Sequence, residues 1–220
     1  MQPMVLKHMS RLRESGMLVL LVLLLLTVFV VPNFVHAARH ARLADDVLLT
    51  LILVSGVVAV ADHRRMATVL AVLSLLVIVV RWGEWIVPSG LLPVFHIGSA
   101  LSAMLVLACT VAINVFAAGH AISDRVFGAV VLYLLLGLIW AVAYASLDAA
   151  VPGAFAGVAH HDNAPPDWDY FSFVTLTTVG YGDITPVARG ARTLAILEAL
   201  IGQLYPAVII ARLVSLQVTK

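Results

Sequence analysis

Residues 177–183 read Thr-Thr-Val-Gly-Tyr-Gly-Asp, and they are the part of the chain whose composition suits ion binding. They follow a polar, proline-containing stretch and lie between two long apolar segments. Stripping water from an alkali cation requires a close shell of oxygens, which backbone carbonyls repeated around a shared axis can supply. Successive carbonyls face that axis only if alternate residues take backbone angles of opposite hand, which glycine tolerates and residues with a Cβ resist. The sequence therefore predicts an ion-binding backbone at Thr178, Val179, Gly180, Tyr181 and Gly182.

This segment resembles the potassium channel family, in which T-V-G-Y-G-D is the selectivity filter. The likeness extends from about Val126 to the C-terminus and includes Tyr170-Phe171-Ser172, Thr175-Leu176-Thr177 and Asp183-Ile184-Thr185-Pro186. The resemblance implies that K⁺ binds to the carbonyl oxygens of Thr178, Val179, Gly180 and Tyr181, with the Thr178 hydroxyl adding an inner ring. No cofactor is implied, because K⁺ is the permeant ion.

A short pore helix is predicted from Trp168 to Thr178, re-entering the membrane without crossing it. Irregular backbone such as the following filter is tolerated at membrane depth only where protein surrounds it or water reaches it. The carbonyl end of the helix is expected to point at the pore axis. Its partial negative charge would favour a cation in the cavity below the filter.

The resemblance also implies an aromatic cuff around the filter. Tyr170 and Phe171 are expected to brace Tyr181 from outside. Trp168 either supports the same cuff or anchors the chain at the membrane interface.

Polar side chains on both sides of the filter are expected to hold it in place. Thr175 and Thr177 can hydrogen-bond behind it. Asp183 would concentrate cations at the outer mouth, and its carboxylate could also accept a hydrogen bond from a pore-helix aromatic, with Tyr170 the expected donor.

The last apolar segment carries three candidate gate residues. Pro206 cannot donate a hydrogen bond to the carbonyl of Gly202, so the helix loses a bond beside its most flexible residue. A hinge is one interpretation and agrees with the bent inner helices of the resembled family; close helix packing at Gly202 and Gly137 is the other. Glu198, one turn before Gly202, is an ionisable group at membrane depth and so a functional candidate. It either faces the cavity or hydrogen-bonds behind the filter, and the second interpretation is preferred.

The outer loop contains His160, His161 and Asp162 in succession. Such a cluster could bind Zn²⁺ or sense protons. A solvated loop is the simpler interpretation and the preferred one.

Composition limits the class of protein. Of the 220 residues 62% are hydrophobic and the mean hydropathy is +1.06, which indicates a membrane protein with several spans and excludes a large soluble domain. The formal net charge of +1 offers no basic face for nucleic acid. The single cysteine, Cys109, allows no intrachain disulfide. No catalytic constellation accompanies Glu198, so no enzyme is predicted.

Six apolar segments are each close to the length that crosses a bilayer. The predicted fold is an all-α membrane protein with six transmembrane helices and a re-entrant pore helix and filter loop between the last two. Asp45 and Asp46 suit the start of the second helix, and the tight link at residues 62–65 makes that helix one arm of a hairpin. The expected domains are a four-helix region over 1–118 and a pore domain over 119–220, with outer helix 126–147, pore helix 168–178, filter 178–182 and inner helix 190–215. The six apolar segments cover residues 17–35, 45–61, 66–87, 91–118, 126–147 and 190–215.

Charge predicts the orientation in a plasma membrane, which we expect to be a bacterial inner membrane. With the N-terminus in the cytoplasm, eight basic residues lie inside and five outside, which agrees with the positive-inside tendency. Both termini are then cytoplasmic and the filter mouth is external. The first segment, ending in Val35-His36-Ala37, also fits a cleaved signal peptide; this alternative leaves the pore orientation unchanged. The inside set is Lys7, Arg11, Arg13, Arg64, Arg65, Arg125, Arg212 and Lys220, and the outside set is Arg39, Arg42, Arg81, Arg189 and Arg192.

One filter copy per chain predicts a homotetramer, because a pore lined on all sides needs the motif repeated around an axis. The fourth segment carries no Lys or Arg, so weak or no intrinsic voltage sensing is expected. The predicted function is passive, K⁺-selective conduction across the lipid bilayer. The alternatives are a non-conducting scaffold or regulatory subunit that keeps the filter as structure, and a subunit of a potassium uptake system.

Overall fold

The computed structural model describes residues 16–30, 38–59, 64–83, 92–116, 122–158 and 167–218. Long helices fill most of these ranges, joined in the second half of the chain by one pair of very short strands. The helices are α1 (Gly16–Val30, with a π-helical end over Leu26–Val30), α2 (Ala38–Ala59), α3 (Arg64–Gly83), α4 (Leu92–Phe116), α5 (Ile122–Ala150), α6 (Trp168–Leu176) and α7 (Arg189–Val218); the strands are β1 (Phe155–Ala156) and β2 (Thr185–Pro186).

Two helices in the described ranges are long and apolar enough to cross a membrane, over Arg125–Ala150 and Arg189–Ser215. Shorter apolar helices cover Gly16–Val30, Ala67–Gly83 and Ala100–Ile113. This helical content and the two long helices fit an all-α membrane channel. The six-span layout stays a prediction.

The chain divides into two compact units, with the boundary between Leu135 and Leu136 inside α5. In the first unit, α3 packs against both α2 and α4. Gly56 brings α2 close to α4, since a Cβ at this position would lie 2.6 Å from the side chain of Leu107. Leucines fill much of this core, including the fully buried Leu20, Leu24, Leu53, Leu70 and Leu107.

The start of α2 differs from the prediction. The helix begins at Ala38, so Asp45 and Asp46 lie inside it and the prediction that they begin the helix is wrong. Asp46 is buried and its Oδ1 accepts a 2.5 Å hydrogen bond from Nε of Arg81 on α3. A buried carboxylate needs a partner, and here a neighbouring helix supplies it in place of a helix N-terminus. The ion pair joins α2 to α3.

The second unit combines the end of α5 with β1, α6, β2 and α7, and α6 packs on α7. Four aromatic side chains form its centre. Tyr144 and Phe171 meet edge to face with ring centroids 4.8 Å apart, and Phe155 and Trp168 are also 4.8 Å apart. Such pairs contribute about 0.5–1.5 kcal/mol beyond their buried area. The cluster therefore fixes α6 against its neighbours.

The strand pair is a feature that the all-α prediction lacked. β1 and β2 run antiparallel, with Phe155 opposite Pro186 and Ala156 opposite Thr185. Two residues are too few to show an alternating pattern, so no strand could be predicted there. The pair ties the segment after α5 to the segment before α7.

Candidate ion-binding site

The backbone of the predicted filter follows directly from the C-terminal end of α6. The helix begins after Asp167, whose Oδ1 accepts a 3.0 Å hydrogen bond from the N–H of Tyr170, a usual N-cap. It ends at the buried Leu176 with Thr177 as its C-cap, so the predicted filter begins two residues after the helix. The pore helix is thus shorter at its end than the predicted 168–178.

Backbone angles in this segment alternate in hand. The φ angle is +60° at Thr178, +57° at Gly180 and +81° at Gly182, whereas Val179 and Tyr181 keep negative values. Alternation of this kind turns successive peptide groups toward one side. Thr178 is the one described non-glycine residue with a positive φ, and holding it there costs about 1–2 kcal/mol.

The N–H groups of the same residues bond to the last turn of α6. Thr178 N donates to the Thr175 carbonyl at 2.9 Å, and the N–H groups of Val179 and Gly180 share the Val174 carbonyl at 3.0 and 3.3 Å. Because these N–H groups point toward α6, the carbonyl groups of the same segment can face away from that helix. Val179 and Tyr181 are 53% and 71% exposed in a single chain, so this segment has an open side.

The outer end of the segment is held by Tyr170. Its ring stacks parallel to that of Tyr181, with centroids 6.4 Å apart, and its hydroxyl donates to Oδ2 of Asp183 at 2.7 Å. This hydrogen bond holds the pKa of Asp183 below its ordinary value and raises the pKa of Tyr170 to about 12. Asp183 therefore stays ionised at the exposed end of the segment.

The other two aromatics expected in the cuff face elsewhere. Phe171 is buried against Tyr144 and Phe155, so the expectation that it braces Tyr181 is wrong. Consecutive residues of a helix point in different directions, and only Tyr170 lies on the side of the filter. Trp168 is also buried and packs on Phe155, which makes it a core residue of this unit.

The hydroxyls of Thr175 and Thr177 bond within α6 and not behind the filter as expected. Thr175 Oγ1 donates to the Phe171 carbonyl at 2.8 Å, and Thr177 Oγ1 donates to the Phe173 carbonyl at 2.6 Å. The carbonyl four residues earlier is the nearest acceptor for a threonine on a helix. These two hydroxyls thus bond to carbonyl groups near the end of α6. A different hydroxyl of α6 bonds to a neighbouring helix.

The hydroxyl of Ser172 on α6 bonds to Glu198 of α7. Glu198 is fully buried; its Oε1 lies 2.5 Å from Ser172 Oγ, and its Oε2 accepts a 2.5 Å hydrogen bond from the Tyr144 hydroxyl. Ser172 Oγ also lies 2.7 Å from the carbonyl oxygen of Gly137. One carboxyl group thereby joins α5, α6 and α7 behind the segment that precedes the filter.

The hydrogen bonds of this cluster can form whether the Glu198 carboxyl group is ionised or protonated. Ser172 has a single hydroxyl hydrogen and two acceptors within reach, Glu198 and Gly137. An ionised Glu198 accepts from both Ser172 and Tyr144. A protonated Glu198 donates to Ser172, which then donates to Gly137, so every member is satisfied.

Two glycines allow the helices around the filter to approach closely. A Cβ at Gly202 would overlap the carbonyl oxygen of Leu176, the last residue of α6. A Cβ at Gly137 would lie 2.6 Å from the ring of Phe173. Close packing is therefore the geometry at both positions. α7 runs unbroken through Pro206, and the hinge at Gly202 and Pro206 stays a prediction.

Sequence reasoning missed several residues of the site. No role was predicted for Ser172 or Tyr144, because their bonds to Glu198 join different helices and leave no local spacing in the sequence. Phe155 and Gly157 lie in the loop after α5, where the sequence offered only glycine and proline as signals. The outer-loop residues His160, His161 and Asp162 lie outside the described residues.

Comparison with known proteins places the site in a recognised domain. A family described as "Ion channel" matches residues 129–218, which contain α6, the filter segment and α7. Protein LctB of Geobacillus stearothermophilus is 58% identical over 45 residues, which is 20% of this chain and 33% of that protein. Two pore potassium channel c of Oryza sativa subsp. japonica is 38% identical over 88 residues, which is 40% of this chain and 19% of that protein.

A further relative is the inward rectifier potassium channel Kirbac3.1 of Paramagnetospirillum magnetotacticum, 36% identical over 77 residues, or 33% of this chain and 23% of that protein. The chain thus spans a third or less of the length of these relatives. No solved structure matches the chain. The chain is thus similar to an ion channel domain over residues 129–218, and parts of it are similar to parts of potassium channels.

Proposed function

We propose that this protein is a potassium-selective channel subunit, four copies of which surround one pore. In this proposal the carbonyl oxygens of Thr178, Val179, Gly180 and Tyr181 replace the hydration shell of K⁺. Asp183 forms a ring of negative charge at the outer mouth and raises the local cation concentration. The ion moves passively down its gradient, and no cofactor takes part.

The observation that carries the proposal is the alternating backbone of residues 178–182. Within five residues the backbone has a positive φ at Thr178, Gly180 and Gly182, and Thr178 is strained there. Strained backbone of this kind is often found at functional sites. Binding a dehydrated cation is a reason to keep that shape, because it needs peptide groups turned to one side. The bonds from the N–H groups of Thr178, Val179 and Gly180 to α6 support the same arrangement, since they leave carbonyl oxygens for the ion.

Exposure supports repetition around an axis. Along α7, Ile196, Leu200, Leu204 and Ile210 are 55–63% exposed in the single chain, and Tyr181 is 71% exposed. An apolar helix that a single chain leaves open can be covered by lipid or by other copies. Four-fold assembly would cover part of this surface and close the ring of carbonyls, and we further propose six crossings with both termini cytoplasmic.

Ion replacement in proteoliposomes tests the proposal. Vesicles that contain the purified protein are loaded with K⁺ and placed in Na⁺ solution. Loss of K⁺ through a K⁺-selective pore makes their interior negative, so they should take up tracer Rb⁺. Added external K⁺ should reduce that uptake, because it lowers this potential and competes for the pore. Vesicles without protein give the baseline. Absence of uptake at every pH and voltage would favour the non-conducting scaffold.

The residue-level test is Gly180→Ala. Gly180 has open space around the position of a Cβ, so the cost of alanine there is the left-handed backbone alone, about 1–2 kcal/mol. We expect the variant to assemble and to lose K⁺ flux, because relaxing φ rotates the neighbouring carbonyls away from the ion. Gly190→Ala is the matched control, since Gly190 also has open space and has ordinary helical backbone. Equal flux in the two variants would contradict the proposed ion site.

A further inference from the structure

The loop between α5 and α6 lies along the chain that leaves the filter. The Ala154 carbonyl accepts hydrogen bonds from the N–H groups of Val187 at 2.8 Å and Ala188 at 3.1 Å. Phe155 and Ala156 then pair with Pro186 and Thr185 as β1 and β2. We call residues 154–157 the outer strap. It runs antiparallel to residues 183–188, residue by residue, and ends beside Asp183.

Phe155 fixes the outer strap to the body of the second unit. Its ring is buried and contacts Trp168 and Phe171 of α6 at centroid distances of 4.8 and 5.5 Å, and Tyr144 of α5 at 5.6 Å. The strap is therefore anchored to the same helices that carry the filter. Because the outer strap is anchored in this way, it can hold the segment that follows the filter in place.

Gly157 makes the contact with the end of the filter. It has a φ of +80°, and the position that a Cβ would take there is occupied by the carbonyl oxygen of Asp183. The Cα of Ile184 is 3.4 Å from the same position. No other residue type fits between these two backbones without displacing one of them.

Asp183 is consequently held from two directions. Its side chain accepts the hydrogen bond of the Tyr170 hydroxyl, and its main-chain carbonyl lies against Gly157. Besides the Tyr170 hydroxyl, the carboxylate accepts hydrogen bonds from the backbone N–H groups of Asp183 and Ile184, and none of these bonds involves the Asp183 carbonyl oxygen. The outer strap restrains that carbonyl, through the peptide group that joins Asp183 to Ile184.

We propose that Gly157 is a positioning residue for the outer end of the filter, acting through the Asp183 peptide. Carbonyl oxygens stacked in rings repel one another when no cation lies between them, so an ion-free filter tends to rearrange. The outer strap opposes that rearrangement at the Asp183 end. It therefore sets how much K⁺ is needed to keep the filter in its binding shape. This inference rests on the proposed function, and it adds that the outer strap regulates the K⁺ dependence of the filter.

The test compares Gly157→Ala with Gly153→Ala in the full chain. Both glycines have a φ of +80°, so alanine carries the same backbone strain at each, but Gly153 has open space where Gly157 meets Asp183. The two readouts are the K⁺ concentration that gives half of the maximal rise in melting temperature, with Na⁺ holding ionic strength constant, and tracer Rb⁺ uptake in proteoliposomes.

Gly157→Ala is expected to raise that K⁺ concentration about tenfold, because an ion site tolerates displacements of only a fraction of an ångström. Gly153→Ala should leave it within about twofold of the wild type, as a loop glycine with free space around it. Equal shifts in the two variants would overturn the inference.

A reversible cross-link gives a second test that does not depend on the folding of Gly157→Ala. Ala156 and Thr185 are opposite one another in the strand pair and exposed. Opposed residues in antiparallel strands have Cα atoms about 4.5–5.5 Å apart, which suits a disulfide. The double variant Ala156→Cys with Thr185→Cys is made together with Cys109→Ala, which removes the native thiol.

Oxidation of this double variant should lower the K⁺ requirement about twofold or more, because the strap can no longer separate from the segment after the filter, and reduction should restore it. Each single-cysteine variant should not respond. An unchanged K⁺ requirement in protein whose disulfide is verified by mass spectrometry would overturn the inference. A wild-type protein with neither K⁺-specific stabilisation nor Rb⁺ uptake would instead refute the proposed function, so the two failures are distinguishable.

Discussion

At the scale of single residues, Glu198 is the side chain with the most demanding surroundings. It is fully buried between three helices and has two hydroxyl partners, Tyr144 and Ser172. A carboxyl group in such a place is costly unless its oxygens are bonded, and here both are. The cluster therefore stabilises the contact of α6 with its neighbours only as long as all its members are present.

Replacing Glu198 should show this dependence. Glu198→Ala leaves the buried Tyr144 hydroxyl without its acceptor, which costs about 1–3 kcal/mol, whereas Ser172 keeps the Gly137 carbonyl as an acceptor. Glu198→Gln keeps an acceptor for one hydroxyl and a donor for the other, so we expect a much smaller loss. Melting temperature and Rb⁺ uptake measure the effect, with Gln203→Ala on the exposed side of α7 as control. A Gln variant as damaged as the Ala variant would mean that the negative charge, and not the hydrogen bonding, is required.

Tyr170 and Asp183 give a prediction on pH. The hydrogen bond from Tyr170 favours the ionised carboxylate, so Asp183 keeps its charge until the pH falls below the ordinary value of 3.8. Tyr170→Phe removes the donor but keeps the stacked ring, so the pKa of Asp183 rises toward that value. K⁺ uptake at low external K⁺ should then decline at a higher external pH in the variant than in the wild type.

Salt provides the control for this pH effect. Attraction of cations by an exposed carboxylate is screened at high ionic strength, so the difference between the two proteins should fade as inert salt is added. Identical acid profiles of wild type and Tyr170→Phe at low salt would contradict a role for this bond in keeping the mouth charged.

At the scale of elements, α7 has two parts with different contacts. Its first half is fixed to α6, by Glu198 through Ser172 and by Gly202 against the Leu176 carbonyl. Pro206 follows one turn later and removes one helical hydrogen bond. Any bend is therefore expected beyond Gly202, on the side away from the filter.

Pro206→Ala tests this division. Alanine restores the missing N–H and stiffens the helix, so the fraction of time that the pore is open should change while the preference for K⁺ over Na⁺ stays the same. Single-channel recording in planar bilayers measures both quantities, and Val208→Ala serves as a nearby exposed control. An altered ion preference would show that the bend at Pro206 also shapes the filter.

Which features were predictable from sequence depends on how local their causes are. The long apolar segments gave α5 and α7 to within a few residues, and the left-handed angles of Gly180 and Gly182 follow from their lack of a Cβ. The direction of the Phe171 side chain could not be predicted, because adjacent aromatic residues on a short helix are equivalent until the neighbouring helices are known. The same holds for Ser172, whose partner lies far along the chain, and for the outer strap, whose strands are too short to leave a pattern.

At the scale of the whole molecule, the candidate ion site lies in the second unit, and the ion pair between Asp46 and Arg81 lies in the first. Within the first unit, α4 carries no Lys or Arg from Leu92 to Phe116. A helix without charge has nothing for the membrane field to move.

Conduction should accordingly depend little on voltage. Each elementary charge moved across the membrane contributes about 2.3 kcal/mol per 100 mV, so a steep response needs several of them. We expect the open fraction to vary by less than the movement of about one charge would cause over roughly 100 mV of either sign. Steady-state recordings in symmetrical K⁺ measure this, and a steep sigmoidal response would indicate gating charges outside α4.

The exposure of Val179 and Tyr181 in a single chain has a genetic consequence under the proposed four-fold assembly. Every subunit contributes one quarter of each oxygen ring, so a single faulty filter damages the whole ring it joins. Where normal and altered chains are made together, most assemblies would include at least one altered copy. Producing a chain altered in this short segment together with the wild-type chain is thus expected to suppress conduction by most of the mixed assemblies.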